Sequence, residues 1–212
     1  MDGLCPECDQ ELQPRLGGYC FGCGRLFALA EVEPYLCAEC RHKSPVWHGF
    51  GFLGPYDGLL RELVLDFKFH ARFELRKVLR SLLLRAYAYH FPGLRPDCIV
   101  PVPLHTARLR ERGFNQSLEI ARGLDRVVNA RLLPDVLLRV RPTKAQSGLE
   151  RKERLDNVRG AFQADPGVIR SRHILLIDDV STTGTTLTEC AKALRRAGAG
   201  QVDALVLAVA AG

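Results

Sequence analysis

The sequence predicts an α/β fold: a parallel β-sheet flanked by helices, preceded by a small cysteine-rich, metal-stabilised module. Three observations carry this. From residue 50 onward, short apolar runs of strand length alternate with segments of helical apolar periodicity. One such run, starting at His173, ends in two carboxylates, Asp178 and Asp179, and a hydroxyl-rich turn around Gly184 follows. Ahead of the alternation stand three C-x-x-C pairs: Cys5/Cys8, Cys20/Cys23 and Cys37/Cys40.

The 212 residues suffice for one full-sized α/β domain and an accessory module, divided here as 47–212 and 1–46. No apolar run is long enough to predict a membrane-spanning helix. The N-terminus lacks the basic and apolar regions of an export signal, so a cytoplasmic location is expected. The net charge is +6, and residues 105–160 hold 13 Lys+Arg against 7 Asp+Glu, so this segment carries the whole excess. A local positive field draws polyanions, either nucleic acid or a phosphorylated ligand. A solvated helical face is the plainer reading of the same charges.

Each C-x-x-C pair lets two thiolates of one tight turn bind one tetrahedral metal. Without an export signal a disulfide framework is disfavoured, so structural zinc is expected. Six thiolates exceed the four that one ion needs. Cys5/Cys8 with Cys20/Cys23 resembles a zinc ribbon, and Cys20/Cys23 with Cys37/Cys40 fits as well. One or two ions are therefore expected, with His42 or His48 available to complete a second site. A module of roughly forty residues buries too little apolar surface to fold without its metal. Cys98 and Cys190 stand singly in apolar contexts and are expected in the core.

In chain order, Pro45 and Trp47–Gly54 mark the passage into the second domain. Phe50, Phe52 and Leu53 predict a short strand before a turn at Pro55–Gly58. Leu59–Phe69 and Leu75–Tyr89 have helical periodicity. Cys98–Val102 predicts a buried strand, Asn115–Val128 one helix, and Pro134–Val140 a strand. Leu149–Asn157 reads as a charged helix or mobile loop. His173–Asp178 is the strongest strand candidate. A helix over Thr185–Ala197, ended by Gly198, and a buried strand over Val202–Val209 complete the domain.

The turn after Asp179 has the chemistry of a monophosphate cradle. Gly184 lets backbone N–H groups approach an anion closely. The helix start adds free N–H donors and the positive end of the dipole. Ser181, Thr182, Thr183, Thr185 and Thr186 add hydroxyls. Ligands of open α/β sheets sit at the carboxyl ends of the strands. Two carboxylates facing a phosphate would repel it, so Asp178 and Asp179 are expected to hold hydroxyls or a metal beside it. The plainer reading is a helix cap with two ordinary acids. Arg108 and Arg112 follow the Cys98–Val102 strand, and Lys144 lies in the basic stretch 141–162. Arginine forks bind phosphate oxygens bidentately.

Ile174–Thr186 resembles the phosphoribosyl pyrophosphate (PRPP) motif of type I phosphoribosyltransferases. R-G-F-N-Q (112–116), T-x-x-Q (143–146), R-x-x-N-V-x-x-A-F (154–162) and D-D-V-x-T-T-G-x-T (178–186) stand behind paired-cysteine knuckles. Together they resemble the ComF competence family over nearly the whole chain. Leu65–His70 is similar to that family's L-K-F-x-G element, with His70-Ala71 in place of the glycine. The resemblance implies a type I phosphoribosyltransferase-like domain with PRPP and magnesium as ligands. It implies that Asp178 and Asp179 are the catalytic acids that bind the ribose. Residues 181–186 would hold the 5′-phosphate, and Arg108, Arg112 and Lys144 the pyrophosphate. It further implies a role in natural transformation, handling incoming single-stranded DNA, with a DNA-uptake helicase as a candidate partner. The alternative is phosphoribosyl transfer to a small-molecule or nucleobase acceptor without a DNA role. Two further features depart: Asp178 stands where many type I phosphoribosyltransferases carry Glu, and there are three cysteine pairs where many ComF members carry four and some two. The intact motif supports ligand binding more strongly than turnover.

Overall fold

The computed structural model describes residues 3–141 and 158–210. Its strands are β1 (Phe50–Pro55), β2 (Cys98–Pro101), β3 (Arg131–Leu132), β4 (Leu137–Arg139), β5 (Phe162–Ala164), β6 (His173–Ser181) and β7 (Gln201–Val209). Its helices are α1 (Pro6–Glu11), α2 (Ala38–His42), α3 (Gly58–Phe69), α4 (Arg76–His90), α5 (Thr106–Arg112), α6 (Gln116–Ala121), α7 (Leu124–Val128), α8 (Pro166–Ile169) and α9 (Thr185–Arg196). β1-β7-β6-β2-β3 form a sheet in that order, with every pair parallel. The predicted α/β architecture is therefore the observed one.

Central parallel strands are covered on both faces and so read as continuous apolar runs. In β6, Ile174 and Leu176 join a core with Leu187, Cys190 and Leu194 of α9. Leu175 and Ile177 join the opposite core with Val64 and Phe67 of α3, Leu79 and Leu82 of α4, and Ile120 of α6. Cys98 and Cys190 are buried, as expected.

Three local expectations change. Asn115–Val128 is two helices, because Arg122 adopts an extended conformation (ψ 128°) and α7 restarts after Gly123. In Pro134–Val140 only Leu137–Arg139 is strand, and it pairs antiparallel with β5 in a separate two-stranded sheet. The outer strand of the parallel sheet beside β2 is instead β3, a two-residue element with no apolar run to announce it. The segment Leu149–Asn157 lies outside the described residues.

The N-terminal residues pack on the β1 side of the sheet. Leu12 is buried in the second core, and the Arg15 N–H donates to the Leu53 carbonyl at 2.8 Å. The Tyr19 ring meets Phe52 edge-on at 5.0 Å. Among the described residues no helix is long and apolar enough to cross a membrane.

Candidate functional site

The carboxyl end of β6 carries Asp178 and Asp179, both buried. Each acid has a defined partner. The Ser117 hydroxyl donates to Asp178 Oδ1 at 2.7 Å, and the Asp179 N–H donates to the same oxygen at 3.0 Å. Lys68 Nζ, from the last turn of α3, donates to Asp179 Oδ2 at 2.7 Å. Burial, reinforced by the Asp179 charge, pushes the Asp178 carboxyl up to about 7. Burial would also raise Asp179, but the Lys68 ammonium overrides it and holds this carboxyl below its ordinary value. Lys68 is opposed by burial in the same way, and the charge of Asp179 keeps it protonated.

Directly after the acids the chain makes the hydroxyl-rich turn. Gly184 takes φ +68°, a left-handed conformation that glycine adopts without penalty, and its carbonyl accepts the Thr188 N–H at 2.9 Å to start α9. The hydroxyls of Thr183 and Thr185 lie 2.7 Å apart. Asp178, Val180 and residues 181–187 line one pocket, so Ser181, Thr182, Thr183, Gly184, Thr185 and Thr186 are brought together with one of the two acids.

Basic groups surround this end of the sheet. Arg112, at the end of α5, donates to the Gln116 side-chain oxygen at 2.9 Å and feels the charge of Asp179. Arg108 is half-buried on the same helix, and its charge acts on Arg112 and Arg139. Arg139 in β4 feels Asp178 and lies over the Phe162 ring at 5.4 Å. Asn115 fixes the connection: its amide donates to the Val102 carbonyl at 3.1 Å, while its oxygen caps α6 through the Ser117 and Leu118 N–H groups. Lys144 lies outside the described residues. Ser117 and Arg139 were not singled out in the sequence, and Lys68 entered only within the element similar to L-K-F-x-G, with no role at the acids. A lysine inside the apolar stretch of α3 was the visible signal for Lys68.

The cysteines resolve the open pairing. Cys20, Cys23, Cys37 and Cys40 bring their sulfurs within 4.8 Å of one another, with Cys23 and Cys37 at 3.9 Å. Tetrahedral zinc with bonds of about 2.3 Å sets its sulfurs about 3.8 Å apart, so these four fit that ion. Burial pushes the Cys23 thiol up to about 12 and raises Cys40 as well. Such thiols need a cation in order to ionise. Arg25 and Glu39 bridge the two knuckles at 2.8 Å. Cys5 and Cys8 lie outside this set, where the Cys5 sulfur caps α1 by accepting the Cys8 N–H at 3.4 Å. His48 Nδ1 lies 3.3 Å from the Val202 carbonyl oxygen. Among the described residues these four cysteines form the one such group.

Among the aromatic side chains, Tyr35 is exposed and lies against Phe27 at 4.2 Å. Trp47 is buried, and Phe114 packs between Phe67 and Phe73.

Comparison with known proteins adds a family. A model described as phosphoribosyl transferase domain matches residues 120–211, which include β6, the turn and α9. Competence protein F of Haemophilus influenzae is 33% identical over 98% of this chain and 90% of its own length. The DNA utilization protein YhgH of Escherichia coli K12 is 34% identical over 95% of this chain and 94% of its own. Competence protein ComFC of Streptococcus pneumoniae is 32% identical over 96% of this chain and 86% of its own.

Proposed function

The chain belongs to the family of competence protein F, ComFC and YhgH, and from that membership we propose that it handles single-stranded DNA through a domain that binds PRPP. The observation that carries the pocket half of this reading is the buried acid pair set directly before a hydroxyl-rich turn at the head of α9. Ribose hydroxyls donate to Asp178 and Asp179, the acids next to the reacting carbon. The 5′-phosphate sits in the 181–186 turn, where N–H groups and the helix dipole meet it. Arg108, Arg112 and Lys144 bind the pyrophosphate. Magnesium, when bound, would supply charge neutralisation at that leaving group, and Asp178 and Asp179 are the acids that would hold it. Transfer of the phosphoribosyl group to an acceptor is the reaction such a site would serve.

In the same reading, residues 1–46 form a zinc module packed on the β1 side of the sheet, built on Cys20, Cys23, Cys37 and Cys40 and offering a docking face to a DNA-uptake helicase. The protein works in the cytoplasm. The basic middle segment supplies the contacts to DNA phosphates. The DNA half is tested by anisotropy of a labelled single-stranded oligonucleotide across a salt series. Binding should weaken with salt, with a slope of about −0.7 for each phosphate neutralised. It should also weaken when the exposed Arg110 and Arg126 are replaced by alanine. No binding at low salt would remove the DNA role.

A further inference from the structure

Trp47 bridges the cysteine knuckle and the phosphate turn. Its indole Nε1 donates to the Gly22 carbonyl at 2.7 Å, and Gly22 lies between Cys20 and Cys23. The far edge of the same ring reaches the turn, where a Cβ on Gly184 would stand 3.7 Å from Trp47 Cη2. The ring is buried and packs on Phe50 at 5.5 Å. The knuckle has no slack on its other side. A Cβ on Gly24 would overlap the Phe50 ring and stand 3.0 Å from Val209 Cγ1, and Val209 pairs with Ser181 in the sheet. One end of the indole therefore reports the place of a metal-binding loop, and the other end packs beside Gly184, next to the turn but outside the residues that line its pocket.

We propose that Trp47 is a positioning residue that couples metal occupancy of Cys20, Cys23, Cys37 and Cys40 to anion binding in the Ser181–Thr186 turn. The proposal rests on the phosphate-binding reading of that turn. Four sulfurs within 4.8 Å of one another are held in this arrangement by the cation they ligate. When the cation leaves, Gly22 is released and the buried indole N–H loses its acceptor. An unpaired buried donor is costly, so the ring follows the carbonyl or turns to water. Either movement takes the ring away from Gly184 and removes the contact that steadies the turn. Coupling between two sites is reciprocal, so an anion in the turn must tighten the metal by the same factor.

The test uses the full zinc-loaded chain in magnesium buffer, with PRPP as the probe. Zinc affinity is measured against a competing chelator with and without saturating PRPP, while calorimetry follows PRPP itself. Trp47 is the only tryptophan in the chain, so its fluorescence reports this contact alone. The expected result is zinc held about tenfold more tightly with PRPP bound. PRPP should also shift Trp47 emission. Trp47→Phe keeps a ring in place but loses the bond to Gly22, and it should retain zinc and PRPP while the coupling factor falls toward one. PRPP heat with unchanged zinc affinity in the wild-type chain would overturn the coupling alone. No PRPP heat at all would overturn the phosphate reading, and the coupling with it.

Discussion

Asp178 and Asp179 are adjacent in sequence but differ in electrostatic surroundings. Lys68 compensates one, while a serine hydroxyl and one N–H hold the other. Replacing Lys68 with Met leaves the charge of Asp179 buried without its partner, which should cost about 3 kcal/mol in urea unfolding. Much of that loss should return in the Lys68→Met/Asp179→Asn double variant, because the two effects are coupled. An additive double variant would mean that the ion pair carries no such coupling. Asp178 gives a pH signature. Its folded value of about 7 lies above its unfolded value, so the native state holds this proton from the ordinary carboxylate range up to about 7. Its contribution to stability is complete at low pH and is lost as pH rises through 7. Asp178→Asn removes that loss, so the variant should gain stability relative to wild type between pH 5 and 8, read as a difference in urea midpoints. A pH-independent difference would mean that Asp178 titrates as an ordinary carboxylate. The two acids were legible in the sequence because they end an apolar run. The pairing of Lys68 with Asp179 was not, since the two stand 111 residues apart and only the packing of α3 brings them together.

The unit formed by β6, the turn and α9 was the most legible part of the chain. A strand buried on both faces needs an unbroken apolar run, and hydroxyls before a periodic segment mark a helix start. At Gly184 a Cβ has room, so the cost of Gly184→Ala lies in the left-handed backbone and should be about 1 kcal/mol. The same methyl group crowds the N–H groups that face an anion, so phosphate-ligand affinity should fall more than tenfold. Loss of stability with unchanged affinity would show that the turn does not cradle the phosphate. Elements without a long pattern were read less well. β3 has two residues, and its place in the sheet is decided by its pairing with Cys98 and Ile99 rather than by its composition. The break between α6 and α7 falls inside an apolar periodicity that continues across it, from Ile120 and Ala121 to Leu124 and Val128, so a single helix was the natural expectation.

At the scale of the whole molecule, Trp47 links the four-cysteine site to the hydroxyl-rich turn at the carboxyl end of β6. C-x-x-C spacing states that a pair binds metal, but not which pairs share an ion. That depends on where the chain between them runs, and here Cys37 N–H donates to Cys20 Sγ at 3.3 Å, locking the second and third pairs together. Charge distribution was legible as a sum over residues 105–160, whereas the fold decides which of those arginines face the acids. Over nearly its whole length the chain is similar to proteins named for competence and for DNA utilization. The most direct test is calorimetric titration of the zinc-loaded protein with PRPP, with and without magnesium. The account predicts saturable, magnesium-dependent heat, weakened about tenfold or more in Asp178→Asn and Asp179→Asn, as expected for losing a charge-assisted hydrogen bond. No heat, or binding indifferent to both substitutions, would contradict it.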